Sequence, residues 1–370
     1  MLRLVRCLHV SISLILAACL AGSLVAADPA PSADALSQAE LQEAFKVLRS
    51  RFIRASILNY ETLNRSALDG LLTRLGDGAE LVPKKSAKAE EETPPPFHAE
   101  ILAPKLAYLR LAGYSNAELA KIEEAMSKFR EAAADFLILD LRVPQPKPDL
   151  TATARFLDRF VPPDTMLYRI QHPGEKTPQL FISQQAPQRW KGPIILLLDS
   201  ETSSAGELIA ATILRNYPAF SIGEKTSGAT VEYAEIALNE SLSLRFAEAE
   251  ILLPDDQSLF QKGITPTYVI SQSLDLKHRV FDATGYGPLG SHVFEKSRPR
   301  LNEAALVHET DPELDYHLAR ARGETTPFDV IPLLDKVLQR AVDLVVTLRR
   351  TPPSAPAPVK PAKPQGTSGM

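Results

Sequence analysis

Apolar residues along this chain recur either at helical spacing or in short unbroken runs, and the alternation of the two sets the expected elements. In the region 34–82, Leu41, Phe45, Leu48, Phe52 and Ile53 are spaced for one helix. Leu63, Leu68, Leu71, Leu72 and Leu75 are spaced for a second, starting near Glu61 and stopped by Gly76–Gly78. The pair reads as a two- or three-helix packing unit. Leu106–Leu111 and Phe136–Leu141 are apolar strand-like runs. Between them Ala117–Ala133 forms an amphipathic helix, with Ile122, Ala125, Met126 and Phe129 inward. A helix over Thr151–Phe160 precedes a strand at Met166–Ile170, then a loop with a short strand within Pro178–Arg189. Val231–Ile236 and Leu242–Ala247 are expected to pair antiparallel.

The densest pattern lies between Gly192 and Gly228. Pro193–Leu198 is a continuous apolar run, suited to a strand buried on both faces. The polar turn Asp199–Ser203 follows, then a helix over Ala205–Arg215, then a strand at Ala219–Ile222 stopped by Gly223. This is a βαβ-like unit. Ser203 and Ser204 sit where the turn meets the helix. A serine there is far more often a cap than a nucleophile, although free N–H groups and the positive end of the helix dipole also favour a developing negative charge. Strand–helix–strand order repeated in this way predicts an α/β (α+β) fold with right-handed crossovers.

Of the 370 residues, 45% are hydrophobic and 23% charged, enough for one large core and a smaller helical unit. A net charge of −4 gives no reason to expect nucleic acid as a partner. Residues 1–27 read as an export signal: Arg3 and Arg6 lead an apolar stretch from Leu8 to Val25, with small residues Val25-Ala26-Ala27 before the expected cut. The localisation expected is periplasm or cell envelope. Leu16-Ala17-Ala18-Cys19 also fits a lipoprotein box, so a lipid anchor at Cys19 is the alternative. Cys7 and Cys19 are the only cysteines, and cleavage after Ala27 leaves none for disulfides or a thiolate metal site. Residues 83–96, charged and ending in Pro94-Pro95-Pro96, read as a linker. The main domain is then 97–274. A C-terminal helical extension spans 275–350, irregular at Asp275–Phe294, with one helix opened by Asp311-Pro312 and another over Phe328–Leu348. The second is expected to pack through Leu333, Leu334, Val337, Leu338, Ala341 and Leu344. The Pro/Ala/Lys-rich tail 351–370 is expected to be disordered.

Thr202-Ser203-Ser204-Ala205-Gly206-Glu207-Leu208 resembles the Ser-Ala-Ser-Ala-Ser-Glu-Ile turn of the S41 serine peptidases, the C-terminal-processing or tail-specific proteases. Ile222-Gly223-Glu224-Lys225-Thr226-Ser227-Gly228 resembles their Val-Gly-Glu-x-Thr-x-Gly. Leu139-Asp140-Leu141-Arg142 resembles their Leu-Asp-Leu-Arg, and Gly263-Ile264-Thr265-Pro266 their Gly-Ile-x-Pro-Asp, with Thr267 in the last place. The resemblance spans roughly Leu36–Ile270 and implies a ClpP/crotonase-like core between an N-terminal helical region and C-terminal helices. It implies peptide-bond hydrolysis through Ser204, with the Ala205 N–H as an oxyanion donor and no cofactor or metal.

Three departures bear on that chemistry. The family's lysine base falls on Ala229, 25 residues after Ser204, and its assisting glutamine on Tyr233. The Gly-Gly turn that completes its oxyanion hole is replaced by Val143–Pro148, where three prolines supply no N–H. The peptide-binding PDZ domain that many members carry after the helical region is absent, because the linker runs directly into the next strand. A serine hydroxyl needs a base. Lys225 is the nearby lysine, a substitute base only if the loop folds differently, and it is read as pointing to solvent. His98, His172 and His278 are available imidazoles outside any motif, each read as an ordinary surface or capping histidine. Glu207 and Glu224 are potential orienters, and Glu207 in the first helical turn is equally well placed for the dipole. Two readings follow: an exported serine peptidase of weak or lost activity acting on polypeptide, or a non-catalytic pseudopeptidase that binds a peptide or an envelope protein.

Overall fold

The computed structural model describes residues 36–84, 97–113, 116–144, 149–186, 189–284, 287–294, 311–324 and 333–350. The export segment with Cys19, most of the linker, residues 145–148 and the tail lie outside the described residues.

The chain divides into two units, Met1–Arg74 and Leu75–Met370. In the first, α1 (Gln38–Arg51) and α2 (Tyr60–Leu75) form where the leucine spacing places them. Ser37 and Glu40 build a capping box at the start of α1, satisfying two leading N–H groups. Neither helix has a fully buried residue.

The second unit is built on a six-stranded sheet. Its strands are β2 (His98–Ala103), β3 (Leu106–Arg110), β4 (Phe136–Asp140), β7 (Ile194–Leu198), β8 (Ala219–Gly223) and β11 (Tyr268–Val269). Their spatial order is β11-β8-β7-β4-β3-β2, parallel throughout except for antiparallel β2. At β3, β4 and β7 both faces are covered, which is why those strand sequences are dominated by apolar residues. Side chains alternate: Leu109, Leu137, Leu139, Leu196 and Leu198 enter one core, and Tyr108, Ile138, Ile195 and Leu197 enter the other. The first core is closed by α3 (Asn116–Glu131), α4 (Leu150–Leu157) and α5 (Ala205–Asn216). Ile122, Ala125, Met126 and Phe129 of α3 are buried in it as the sequence spacing requires. The second core is closed by Leu289 and Val293 together with α8 (Lys336–Arg350).

A second sheet of five strands joins β1 (Ala79–Pro83), β10 (Leu242–Leu252), β5 (Met166–Gln171) and β6 (Gln179–Ile182) in the order β1-β10-β5-β6, with β9 (Val231–Ala237) paired to β10. The β9–β10 hairpin is the antiparallel pair expected from the sequence.

Three boundaries differ from the sequence reading. The helical region ends at Leu75, not near residue 82, because Ala79–Pro83 joins the second sheet as a strand beside β10. Residues 275–294 are not irregular throughout: α6 (Leu274–Ala283) forms there, capped by Ser273 on the Leu276 N–H. The last helix begins at Lys336, so Leu333 and Leu334 precede it, while Phe328 lies outside the described residues. Asp335 starts that helix by accepting the Leu338 N–H at 3.0 Å. Asp311 caps α7 (Pro312–Ala321) as expected. No helix among the described residues is long and apolar enough to cross a membrane.

Candidate active site

The C-terminal ends of parallel strands are where open α/β sheets place their sites, and the turn after β7 is built tightly there. The Asp199 Oδ1 accepts the Glu201 and Thr202 N–H groups at 3.0 and 3.1 Å. The Thr202 hydroxyl donates to the Leu141 carbonyl at 3.0 Å, tying this turn to the end of β4. Ser204 follows at φ 42°, ψ −103°, and α5 starts from it, with the Leu208 N–H on its carbonyl at 3.0 Å. A side chain other than glycine at such a positive φ costs about 1–3 kcal/mol unless its surroundings impose it.

Ser204 is not a cap. Its side chain makes no capping bond, and its buried Oγ has no hydrogen-bond partner among the described residues. The common role for a serine at a helix start is therefore unfilled. A strained strand-to-helix turn that presents a free hydroxyl is how other hydrolase folds display a nucleophile. Ala205, fully buried, leads the helix, where N–H groups lack intrahelical acceptors.

The loop after β8 is clamped to this turn. Glu207, wholly buried in the first turn of α5, accepts the Gly228 N–H at 2.7 Å, the Thr230 hydroxyl at 2.6 Å and the Thr226 hydroxyl. The Ser227 N–H donates to the Thr202 carbonyl at 3.1 Å. Two glycines are needed for this approach. A Cβ on Gly223 (φ 130°) would stand 1.9 Å from the Leu198 carbonyl oxygen. A Cβ on Gly228 (φ 75°) would meet the backbone of Gln261–Gly263 at about 3.0 Å. Residues 226–230 thus lie against the first turn of α5, and Ala229, half-buried, is carried by that loop. Glu207 is fully engaged as a loop clamp.

None of the candidate bases bonds to the Ser204 hydroxyl. Lys225 is exposed. His98 sits 2.9 Å from Glu100, His172 3.6 Å from Glu232, and His278 2.9 Å from Glu201. Glu224 accepts the Ser271 hydroxyl. Tyr233 donates to the Asp77 carbonyl at 3.0 Å and lies under the Arg245 guanidinium.

Sequence reasoning missed the buried charges beneath the turn. Arg142 donates to Asp140 through Nε and Nη2 and, across the fold, to Asp335 through Nη1 and Nη2. Tyr108 donates to Asp140 at 2.7 Å. Lys277, buried on α6, donates to the Arg142 carbonyl at 3.0 Å, to Asp199 at 2.6 Å and to Glu201. Its three protons are all used, so it holds the turn and has no lone pair to offer a substrate. Burial pushes the Asp199 carboxyl up despite Lys277. Burial also pushes on Asp140, but the Arg142 charge and its hydrogen bonds outweigh it and hold this carboxyl below the usual range. A Lys in a stretch read as irregular and an Asp inside a segment read as helix gave no signal.

Residues 105–270 match the family model described as peptidase family S41. That domain belongs to peptidase family S41. The S41 domain is similar to a carboxyl-terminal-processing protease of Synechocystis sp., at 27% identity over 167 residues, 45% of this chain and 38% of the relative. It is also similar to a carboxy-terminal-processing protease of Bartonella bacilliformis, at 33% identity over 141 residues, 36% of this chain and 32% of that one. Among solved structures, the photosystem II D1 C-terminal processing protease aligns at 16% identity and a TM-score of 0.38, covering 52% of this chain and 48% of that one. The chain thus spans well under half the length of the curated relatives it matches.

Proposed function

We propose that this S41 protein is exported, receives an unfolded polypeptide at Ser204, and cleaves it slowly or not at all. The observation that carries the reading is Ser204 itself: buried, held at φ 42°, and with an unpartnered Oγ where a cap was expected. Such strain is retained where function requires it. The Ala205 N–H, at the positive end of the α5 dipole, favours the oxyanion of an attacked carbonyl. What limits the step is proton removal. Ala229 and Tyr233 stand where the family resemblance implies lysine and glutamine, and a positioned base contributes about 10²–10⁴ in rate. Arg3, Arg6 and the apolar stretch Leu8–Val25 support export.

The test uses the purified full chain with reduced, carboxymethylated α-lactalbumin as the unfolded probe. Ser204→Trp is expected to reduce retention of the probe severalfold, with wild type cleaving it barely or not at all. Retention unaffected by Ser204→Trp would overturn the reading. So would rapid cleavage abolished by Ser204→Ala, which would require a base that this reading denies.

A further inference from the structure

β2 is the last strand of the six-stranded sheet and pairs with β3 alone. Its outer row of N–H and C=O groups has no backbone partner among the described residues. Such an edge is a template for another strand. Beside it, between β2 and α3, runs a groove of about 420 Å³. Phe97, Ala99 and Ile101 form one wall, and Ala125 and Phe129 of α3 form the floor. Ile101 is 38% exposed there.

Charge on the rim is unevenly spent. Lys128 is paired with Glu124 at 2.7 Å. Glu100 accepts the Leu289 N–H at 3.0 Å and lies 2.9 Å from His98. Lys121 is exposed and has no partner among the described residues. The groove therefore offers three things together: backbone donors and acceptors along an edge, an apolar trough beside them, and an unspent cation.

We propose that this edge is a second polypeptide-binding site. An extended segment adds to β2 through main-chain hydrogen bonds, places apolar side chains at alternate positions in the trough, and sets a carboxylate against Lys121. A small molecule would leave the strand edge unused. β3 and β4 stand between β2 and β7, so the site is distinct from the one at Ser204 and does not depend on how that one acts.

Two measurements on the full chain test it. Hydrogen exchange of the free chain should show fast exchange at the outward β2 amides. Protection that is independent of concentration would mean that the chain's own 85–96 segment lies there, and protection that grows with concentration would mean a second copy. Either overturns the proposal. A random decapeptide library is then selected on immobilised wild type, Ile101→Glu, Lys121→Gln and Ser204→Trp, each checked for fold by circular dichroism. Wild type and Ser204→Trp should enrich sequences of alternating apolar residues with an acidic group. Ile101→Glu should lose that enrichment at least tenfold, and Lys121→Gln should lose only the acidic preference. Enrichment on Ile101→Glu equal to that on wild type would overturn the proposal.

Discussion

Arg142 and Asp335 are 193 residues apart in sequence and meet as a buried two-point pair, Nη1–Oδ1 at 3.1 Å and Nη2–Oδ2 at 2.7 Å. The pair joins the end of β4 to the start of α8, where Asp335 also accepts the Leu338 N–H. Asp335→Ala removes both and leaves a buried guanidinium with Asp140 as its one close carboxylate. Breaking a buried pair costs about 3–5 kcal/mol, and the surviving Asp140 contact puts the expected loss near the lower end. Denaturant unfolding of wild type and variant checks this; a loss below about 1 kcal/mol contradicts it.

Ser204 stores strain, so the site should be less stable than it could be. Ser204→Gly tolerates the positive φ and removes the buried, unpaired hydroxyl. An increase in stability of about 1 kcal/mol is expected, with loss of any reactivity at this position. Unchanged or reduced stability in a thermal melt would mean that the backbone here is relaxed.

Glu207 accepts three donors from residues 226–230. Glu207→Gln turns one of its acceptor oxygens into a donor facing donors. The expected outcome is faster hydrogen exchange across residues 226–230 and a stability loss of about 2 kcal/mol. Exchange confined to its wild-type rate would show that the loop is held by something else.

Acid should loosen the charge cluster. Asp140 is pushed up by burial but held below its ordinary value by Arg142 and Tyr108, and Glu201 is likewise pushed up by burial and held down by Lys277 and His278. Their stabilisation is present above the ordinary carboxylate range, near pH 4, and is lost as pH falls through the depressed folded values. Asp199 works the other way: burial raises its value, so protonation favours the folded state as pH falls through that value. Asp140→Asn should therefore differ most from wild type at pH 7 and least near pH 3. A difference that grows toward acid would refute the assignment.

The sequence was readable wherever periodicity alone decides structure. The central parallel strands β4 and β7 are nearly continuous apolar runs because both their faces are covered, and α3 carries its core residues at helical spacing. β1 was hidden because Ala79–Pro83 follows a helix stop directly and earns its strand only by pairing with β10, a contact far away in sequence. α6 was hidden for a similar reason. Its buried Lys277 reads as a solvent residue until Asp199, Glu201 and the Arg142 carbonyl are seen around it. At the candidate site, Ser204 was legible as a position but its state was not. Capping and presentation of a free hydroxyl share one sequence pattern, and only the dihedral angles and the unpartnered Oγ separate them.

The central claim is that Ser204 is held as a nucleophile and lacks a base. The measurement that tests it most directly is the rate of labelling by a serine-directed fluorophosphonate on the purified folded chain, comparing wild type, Ser204→Ala and the double variant Ala229→Lys with Tyr233→Gln. The double variant is expected to gain labelling at least about 10²-fold over wild type, and adding Ser204→Ala is expected to abolish the gain. Wild-type labelling as fast as that of the double variant, and lost in Ser204→Ala, would contradict it by showing that a base is already in place.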